Sequence, residues 1–345
     1  MSGRLSGDSV VVDDQREASQ VYNRGNFGYP VSGGGIELDL IEAAFLLETG
    51  RLEVTRGGSP VGLGDLSAHA SLQIEDFDTK YLVYRDLRQR GFVVKPSSGD
   101  FHMKVYPRGG QVSDSEPVYG VIAVSERAVA EIGSLFPPRR RGDRKTLYAV
   151  ADEEGDITYY VSLERDPKGN CRIVPDTNTE GVFLGDRAFV FDAAAAAEYV
   201  SAGFYGKDLG GILQLSAMEA HHLCGNGLLA LCSADGKPLS LGDIEAVELT
   251  TQGDFPLRMR VYSDLRARGL IPKTGFKYGT HFRAYEGHPD TCHAKYLVHC
   301  IGDGATVAWP ELSRTVRLSG GVKKEILMAV VGDGIRYLEL RWFRP

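Results

Sequence analysis

The sequence predicts an α/β (α+β) protein made of two tandem repeats, and three observations support this fold class. Blocks of sequence recur in the same order at offsets of 177, 178 and 180 residues. The matched blocks are residues 36–54 with 213–231, 84–95 with 262–273, and 144–150 with 324–330. Helical patterns come first in each repeat and strand-like alternation follows. We therefore expect each repeat to be a small helix-rich subdomain followed by a mixed β-sheet subdomain with flanking helices.

The earliest matched helix of each repeat carries its own start and stop signals. Asp39 and Ser216 stand at the N-cap position, and Glu42 and Glu219 follow three residues later, which is the capping-box spacing. A glycine follows each of these glutamates after eight more residues. Since glycine adopts the left-handed conformation at low cost, both helices are predicted to end there.

The second half of repeat 2 alternates with a period of two, which is typical of strands. Strands are predicted over residues 293–300, 324–331 and 335–343, with a helix between the first two that has a proline near its first turn. The sequence GDG occurs at 302–304 and again at 332–334, and both copies are predicted to be hairpin connections.

A linker is expected where the chain is rich in Gly, Pro, Asp, Asn and Thr and has no sustained periodicity. The resulting segments are residues 1–75 and 76–165 (the N-terminal and β-sheet subdomains of repeat 1), 166–188 (the linker), and 189–250 and 251–345 (the same subdomains of repeat 2).

Composition excludes several classes of protein. No run of about 18 apolar residues is present, so no membrane partner is expected. The N-terminus lacks the apolar stretch of a signal peptide. Five cysteines in 345 residues argue against a secreted disulfide scaffold, and we expect a cytoplasmic protein.

Charge is distributed unevenly along the chain. Residues 256–345 contain 15 Lys and Arg against 8 Asp and Glu, although the whole chain has a net charge of −7. A basic segment on an acidic chain is typical of a localised site for a polyanion such as RNA.

Residues 275–300 (GFKYGTHFRAYEGHPDTCHAKYLVHC) and 313–330 (SRTVRLSGGVKKEILMAV) carry the most specific pattern in the chain. Together with the preceding YSDLRARGLIPKT and the terminal LRWFRP, they resemble the archaeal tRNA-splicing endonuclease family, in its two-repeat homodimeric form. The resemblance covers about the last 90 residues specifically and the rest loosely through the repeat. It implies a restriction-endonuclease-like catalytic part and cleavage of precursor tRNA at both exon–intron junctions.

That family cleaves RNA without a metal, using a tyrosine, a histidine and a lysine. The resemblance assigns these to Tyr285, His293 and Lys324. Histidine suits donation of a proton to the 5′ leaving oxygen, and lysine suits the charge that develops on the phosphorus oxygens. Tyr285 is assigned as general base or proton relay. The implied products carry a 2′,3′-cyclic phosphate and a 5′-hydroxyl, with no cofactor.

Repeat 1 departs from this pattern. Tyr106 stands at the tyrosine position, but Glu116 and Arg144 occupy the histidine and lysine positions. One active site per chain is therefore expected, with the degenerate repeat as scaffold.

The family recognises a bulge–helix–bulge in precursor tRNA. Arginine side chains stack on unpaired bases and bind phosphate, so Arg317 and Arg341 are the candidate RNA-binding residues, with Arg344 as the alternate to Arg341. Two cuts need two sites, which predicts a homodimer. The terminal strand with Trp342 is a candidate apolar seam between the subunits.

Other functions for the residues around Lys324 find less support in the sequence. A metal-dependent nuclease would need clustered carboxylates near Lys324, and only Glu325 is adjacent. Cys292, His293, His299 and Cys300 match no zinc spacing, and no glycine-rich stretch has a phosphate-binding context, so neither a metal nor a nucleotide is expected. A non-catalytic RNA-binding or structural subunit is the remaining alternative.

Overall fold

The computed structural model describes residues 1–138, 145–171, 174–322 and 324–345. Its architecture confirms the predicted α/β class with two repeats. Within each repeat an N-terminal subdomain with its own sheet precedes a C-terminal subdomain, and the two C-terminal subdomains share one large sheet.

The N-terminal subdomain of repeat 1 packs three helices on a mixed sheet of order β3-β4-β2-β1-β5-β6. Its elements are β1 (Ser2–Ser6), β2 (Ser9–Val12), α1 (Gln15–Gly25), β3 (Tyr29–Pro30), β4 (Ile36–Asp39), α2 (Leu40–Glu48), β5 (Glu53–Arg56), β6 (Ser59–Val61) and α3 (Leu63–Ser71).

The C-terminal subdomain of repeat 1 begins with the helix of the 84–95 block. Its elements are α4 (Phe77–Gln89), β7 (Val93–Pro96), β8 (Met103–Tyr106), β9 (Tyr119–Ser125), β10 (Val129–Glu131), a 3₁₀ turn (Ile132–Leu135), β11 (Lys145–Ala151) and β12 (Ile157–Arg165).

Repeat 2 has the same element order with two differences: a 3₁₀ turn lies between the first two strands of its C-terminal subdomain, and an α-helix stands where repeat 1 has its 3₁₀ turn. Its elements are β13 (Thr179–Leu184), β14 (Arg187–Val190), α5 (Ala193–Gly203), β15 (Lys207–Asp208), β16 (Leu213–Ser216), α6 (Ala217–Gly225), β17 (Leu229–Cys232), β18 (Pro238–Leu239), α7 (Leu241–Leu249), α8 (Phe255–Ala267), β19 (Ile271–Thr274), a 3₁₀ turn (Phe276–Tyr278), β20 (Phe282–Tyr285), β21 (Tyr296–Gly302), β22 (Thr306–Ala308), α9 (Trp309–Val322), β23 (Glu325–Val331) and β24 (Ile335–Phe343).

One sheet runs through both repeats, in the order β19-β20-β21-β23-β24-β12-β11-β9-β8-β7 among the described residues. Its halves meet where β12 and β24 pair antiparallel, from Tyr159 opposite Phe343 to Arg165 opposite Tyr337. The terminal strand therefore completes a sheet within the chain. The predicted seam between subunits is wrong for this strand's backbone, since β24 lies between β23 and β12.

A second contact between the repeats lies on one face of this sheet. Strand β10 pairs antiparallel with β22, and Trp309 at the start of α9 is buried against Tyr148 and Tyr160 of repeat 1. The Tyr160 hydroxyl also donates to Ser313 Oγ at 2.8 Å. The start of α9, the helix that leads to Lys324, thus packs on repeat 1.

Within each repeat an ion pair joins the two subdomains, and it is buried in repeat 1 and partly buried in repeat 2. Glu42 of α2 accepts from Lys95 of β7 at 2.8 Å, and Glu219 of α6 accepts from Lys273 of β19 at 2.7 Å. Removing one partner of such a pair leaves an uncompensated charge, which costs roughly 3–5 kcal/mol. The pair fixes the sheet that carries the candidate site against the N-terminal subdomain.

Most local predictions are confirmed. Both capping boxes form, at Asp39 and at Ser216, and the glycines that follow the two helices, Gly50 and Gly227, have positive φ. The turn at 332–334 joins the antiparallel strands β23 and β24.

Three local predictions need correction. The predicted linker extends too far, because residues 179–188 contain β13 and the start of β14 of the second N-terminal sheet. The turn at 302–304 is not a hairpin, because β22 pairs with β10 rather than with β21. The strand predicted from residue 293 begins only at Tyr296, since the preceding residues form a turn in which the Cys292 amide donates to the His288 carbonyl.

Candidate active site

Tyr285 is the last residue of β20 and lies opposite Ile271 of β19. Its side chain is 8% exposed and packs in a small cluster with Ile271 and Ala294. Burial raises the pKa of the phenol, and the Arg283 guanidinium, 5.8 Å from the ring centre, opposes that rise. In the absence of RNA this tyrosine is therefore protonated at neutral pH.

His293 lies in the connection between β20 and β21 and is exposed. This connection is held at both ends: the Cys292 amide donates to the His288 carbonyl at 3.0 Å, and the Lys295 amide donates to the Ala284 carbonyl at 3.1 Å. The second bond ties the residues after His293 to the strand that ends in Tyr285.

Lys324 lies between α9 and β23 and is partly buried. Its ammonium donates to the Ala294 carbonyl at 3.1 Å and lies 5.7 Å from the centre of the Tyr278 ring. Tyr278 also acts on Tyr285, whose pKa it helps to raise. Tyr278 is thus a neighbour of both residues, and it was not singled out from the sequence.

Ala294 contacts two of the three predicted residues and is the chain neighbour of the third. Its side chain packs with Tyr285, its carbonyl accepts from Lys324, and His293 precedes it in the chain. Strands β21 and β23 pair in parallel, with Tyr296 beside Glu325. The residues that precede these two strands therefore lie at the same end of the sheet. The fold therefore places the Tyr285 phenol and the Lys324 ammonium against Ala294, with His293 next to Ala294 in the chain.

A cavity of about 560 Å³ opens beside Lys324, between the start of β23 and the end of β24. Arg317 and Arg341 line it together with Lys324, so two of the predicted RNA-binding residues reach this site. Arg344 is not among the lining residues, and its guanidinium lies 4.7 Å from the Trp342 ring. Trp342 does line the cavity and is 52% exposed in the single chain, and the predicted apolar seam between subunits stays a prediction.

Two carboxylates near Lys324 are held by a cation from repeat 1. Arg165, the last residue of β12, hydrogen-bonds Glu325 and lies 3.5 Å from Glu339 of β24. Burial raises the pKa of the Glu339 carboxyl, and Arg165 and Arg341 oppose this. The sequence indicated Glu325 as the nearest acid but gave no sign of its partner, 160 positions away.

The corresponding place in repeat 1 lacks this combination. Tyr106 ends β8 and is buried opposite Val93, as Tyr285 is opposite Ile271. Glu116 lies in the connection from β8 to β9, where repeat 2 has His293. Arg144 lies outside the described residues.

Other histidines have structural roles. His281 Nδ1 accepts from the Cys300 amide at 2.8 Å, and burial lowers its pKa to about 4. Burial also lowers the pKa of His222 to about 4, and the nearby Arg266 guanidinium lowers it further in the same direction. Among the described residues, no group of three or more His, Cys, Asp or Glu side chains is arranged to hold a metal ion.

Family models built on known proteins match both repeats of the chain. The family model for the catalytic C-terminal domain of tRNA intron endonuclease matches residues 77–159 and 255–337, and the model for the N-terminal domain matches 1–67 and 179–245. No helix in the described ranges has both the length and the apolar character needed to cross a membrane.

Full-length relatives are similar over nearly the whole chain. A tRNA-splicing endonuclease of Methanococcoides burtonii is 35% identical, with 99% of each chain covered. Those of Methanosarcina mazei and Halobacterium salinarum are 35% and 34% identical, with 98% and 100% of this chain and 97% and 100% of theirs covered. The chain therefore belongs to the tRNA intron endonuclease family, with both of the family's domains present twice.

Proposed function

We propose that the chain is a tRNA-splicing endonuclease that cuts precursor tRNA at both exon–intron junctions within a bulge–helix–bulge. The observation that carries this proposal is the contact of Tyr285 and Lys324 with Ala294, the residue that follows His293 in the chain. The cavity lined by Arg317, Arg341 and Trp342 supports RNA as the ligand, since arginine and aromatic side chains hold unpaired nucleotides.

The reaction is an internal transesterification. The ribose 2′-oxygen forms a bond to phosphorus as the bond from phosphorus to the 5′-oxygen breaks, giving a 2′,3′-cyclic phosphate and a 5′-hydroxyl. His293 gives its proton to the leaving 5′-oxygen, and Lys324 stabilises the charge on the non-bridging oxygens. No metal takes part in this scheme.

Tyr285 handles the proton of the 2′-hydroxyl. Since burial raises the pKa of its phenol, a free phenolate is scarce at neutral pH. This favours the relay role, in which Tyr285 accepts the 2′-hydroxyl proton as it passes its own proton to solvent.

One observation argues against a metal-dependent nuclease. Glu325 and Glu339, the carboxylates beside Lys324, both face the Arg165 guanidinium. An arginine that already neutralises this pair competes with a divalent cation for it.

Two junctions are cut by a homodimer in this proposal, with one site from each chain. The exposed loop between β11 and β12, which includes Glu153, Glu154 and Asp156, supports self-association. A cleft of about 760 Å³ between the subdomains of repeat 2 offers cationic side chains, among them Lys207 and Arg283.

Sedimentation at micromolar concentration should give twice the 37.6 kDa chain mass; a monomer that cuts both junctions would contradict the dimer.

The expected compartment remains the cytoplasm. All five cysteines are free thiols, as a reducing environment would keep them.

The proposal is tested by incubating the purified chain with an intron-containing tRNA in excess EDTA, followed by end-group analysis of the fragments. We expect both junctions to be cut and 2′,3′-cyclic phosphate to appear at the new 3′ ends. Loss of cleavage in EDTA with recovery on adding Mg²⁺ would favour the metal-dependent alternative. Tight RNA binding without cleavage in either condition would favour the non-catalytic subunit.

A further inference from the structure

We propose that residues 165–171, at the end of β12 and the start of the linker, position the active site of repeat 2 by holding the strands next to its side chains. We call these residues the buttress segment. The inference rests on the proposed function, and it makes the degenerate repeat part of the working site rather than only a scaffold. Its residues hold the strand that follows Lys324 and the strand that carries Tyr285.

The first end of the buttress segment acts on β23. Strand β23 pairs with β24 only from Met328 to Val331, so its first three residues lie where the two strands diverge. Arg165 spans this divergence: its guanidinium hydrogen-bonds Glu325 on β23 and lies 3.5 Å from Glu339 on β24. Because Lys324 immediately precedes Glu325, the position of Glu325 sets where the lysine side chain begins.

The other end of the buttress segment acts on β20. The Asn170 amide donates to the Glu286 carbonyl at 2.9 Å, and Glu286 directly follows Tyr285. Cys171 packs against the cluster that contains Tyr285 and Ala294. The segment therefore contacts the backbone next to the phenol and the cluster that contains Ala294.

A close approach of two glycines fixes the middle of the segment. The Gly169 amide donates to the Arg268 carbonyl at 3.0 Å, and the Cys171 amide donates to the Gly269 carbonyl at 2.9 Å. A Cβ added at Gly169 would lie 2.2 Å from the Gly269 carbonyl oxygen. Gly269 itself has a φ of +77°. Both positions therefore need glycine for this contact.

Repeat 1 offers an internal comparison. Its turn at Gly91 corresponds to Gly269, and no described atom lies within 4 Å of a Cβ built there. In the sheet, the position related to Arg165 is Phe343, which lies 5.2 Å from the Lys145 ammonium and packs edge-on against Tyr119. An aromatic contact thus replaces the ionic one, and the buttress is found at the repeat that has the complete set of reacting groups.

The physical reason for a catalytic effect is geometric. Charge-assisted hydrogen bonds are among the stronger polar contacts in proteins, and a displacement of about 1 Å in a reacting group reduces turnover roughly 100-fold. Releasing the first residues of β23 would displace Lys324 without removing any group that touches RNA.

The first test uses Arg165→Met, measured by cleavage of a precursor tRNA under saturating and limiting RNA. We expect kcat to fall about 10- to 100-fold with KM changed less than about threefold, while Arg165→Lys retains most of the activity. The matched control is Arg336→Met. Arg336 of β24 also pairs with β12, through Glu164 at 2.7 Å, with similar exposure, but it lies about 20 Å along the strands from Lys324. The kcat of Arg336→Met should stay within about twofold of the wild-type value.

A second pair of variants tests the glycine contact. Gly169→Ala should lower kcat about tenfold because the added Cβ pushes the segment away from Gly269. Gly64→Ala adds a methyl group where no described atom lies within 4 Å and should leave kcat unchanged.

A measurement of amide hydrogen exchange without RNA distinguishes failure of this inference from failure of the proposed function. In Arg165→Met, amide exchange at Glu325, which donates to the Lys295 carbonyl, should speed up at least tenfold, while exchange at Leu147 in β11 stays unchanged. A wild-type chain that cleaves no RNA would overturn the proposed function. Unchanged kcat in folded Arg165→Met, loss of kcat matched by loss of RNA affinity, or unchanged exchange at Glu325 would overturn the buttress.

Discussion

The two repeats have the same fold but differ in what they place at the edge of the shared sheet. Repeat 2 places Tyr285 and Lys324 against one alanine, Ala294, which follows His293 in the chain, whereas repeat 1 keeps the buried tyrosine, Tyr106, and has Glu116 at the histidine position. Capping boxes, inter-subdomain ion pairs and strand order are common to both. Repeat 1 keeps the fold without a histidine at this position, so the fold does not require one, as the proposed chemical role of His293 predicts.

His293→Ala is expected to have the largest effect. Loss of the proton donor should lower kcat about 10²- to 10⁴-fold, with RNA affinity changed less than about threefold because the exposed imidazole supports little packing. The measurement is single-turnover cleavage together with filter binding. The matched change in the other repeat, Glu116→Gln, should leave kcat within about twofold. Equal collapse of affinity and kcat would make His293 a binding residue.

Lys324→Met should come next. Removing one preorganised positive group from a developing oxyanion typically lowers kcat about 10²- to 10³-fold. The control is Lys145→Met, which removes the cation at the start of β11 in repeat 1. If both variants lost activity alike, the repeats would share catalysis and the proposed division between them would be wrong.

Tyr285→Phe tests the pH dependence. In the relay the phenol loses its proton to solvent base as it takes up the 2′-hydroxyl proton, so the rate rises with pH, and because burial raises the pKa of this phenol, the rise continues throughout the neutral range. We expect the logarithm of kcat to climb between about pH 6 and 8 in the wild type and to climb less steeply in the variant. Tyr106→Phe should leave the profile unchanged. Identical slopes for wild type and Tyr285→Phe would exclude the phenol from proton transfer.

Arg317→Ala should have the smallest effect. Stacking and phosphate contacts of one side chain are worth about 1–3 kcal/mol, so KM should rise about 5- to 100-fold with little change in kcat. Arg314→Ala, one turn earlier on α9 and exposed, serves as the control. A fall in kcat without a rise in KM would place Arg317 in the chemistry instead.

Local sequence patterns were enough to predict the repeated architecture and the family, and the site residues assigned from the same patterns stay a prediction. The capping boxes at Asp39 and Ser216 depend on residues three apart, and the reacting groups were assigned from ordered blocks within one repeat. Such signals are carried by residues close together in the chain, so they can be read without knowing the sheet order.

Contacts between distant segments could not be predicted in the same way. Arg165 meets Glu325 only because β12 pairs with β24, and no pattern in either strand specifies that register. The exposure of Trp342 likewise depends on which strand flanks β24, and the pattern of the terminal strand does not specify that neighbour. The linker was drawn too long because a strand at the edge of a Gly- and Thr-rich stretch resembles a loop.

Tyr285, His293 and Lys324 are proposed to act together on one phosphodiester, with the ribose 2′-hydroxyl as the nucleophile. A precursor tRNA carrying a single 2′-deoxy nucleotide at one scissile position tests this proposal most directly. We predict that the modified junction stays intact while the unmodified junction is cut at a normal rate. Cleavage at the deoxy position would mean that water attacks the phosphorus, and the roles assigned to Tyr285, His293 and Lys324 would then be contradicted.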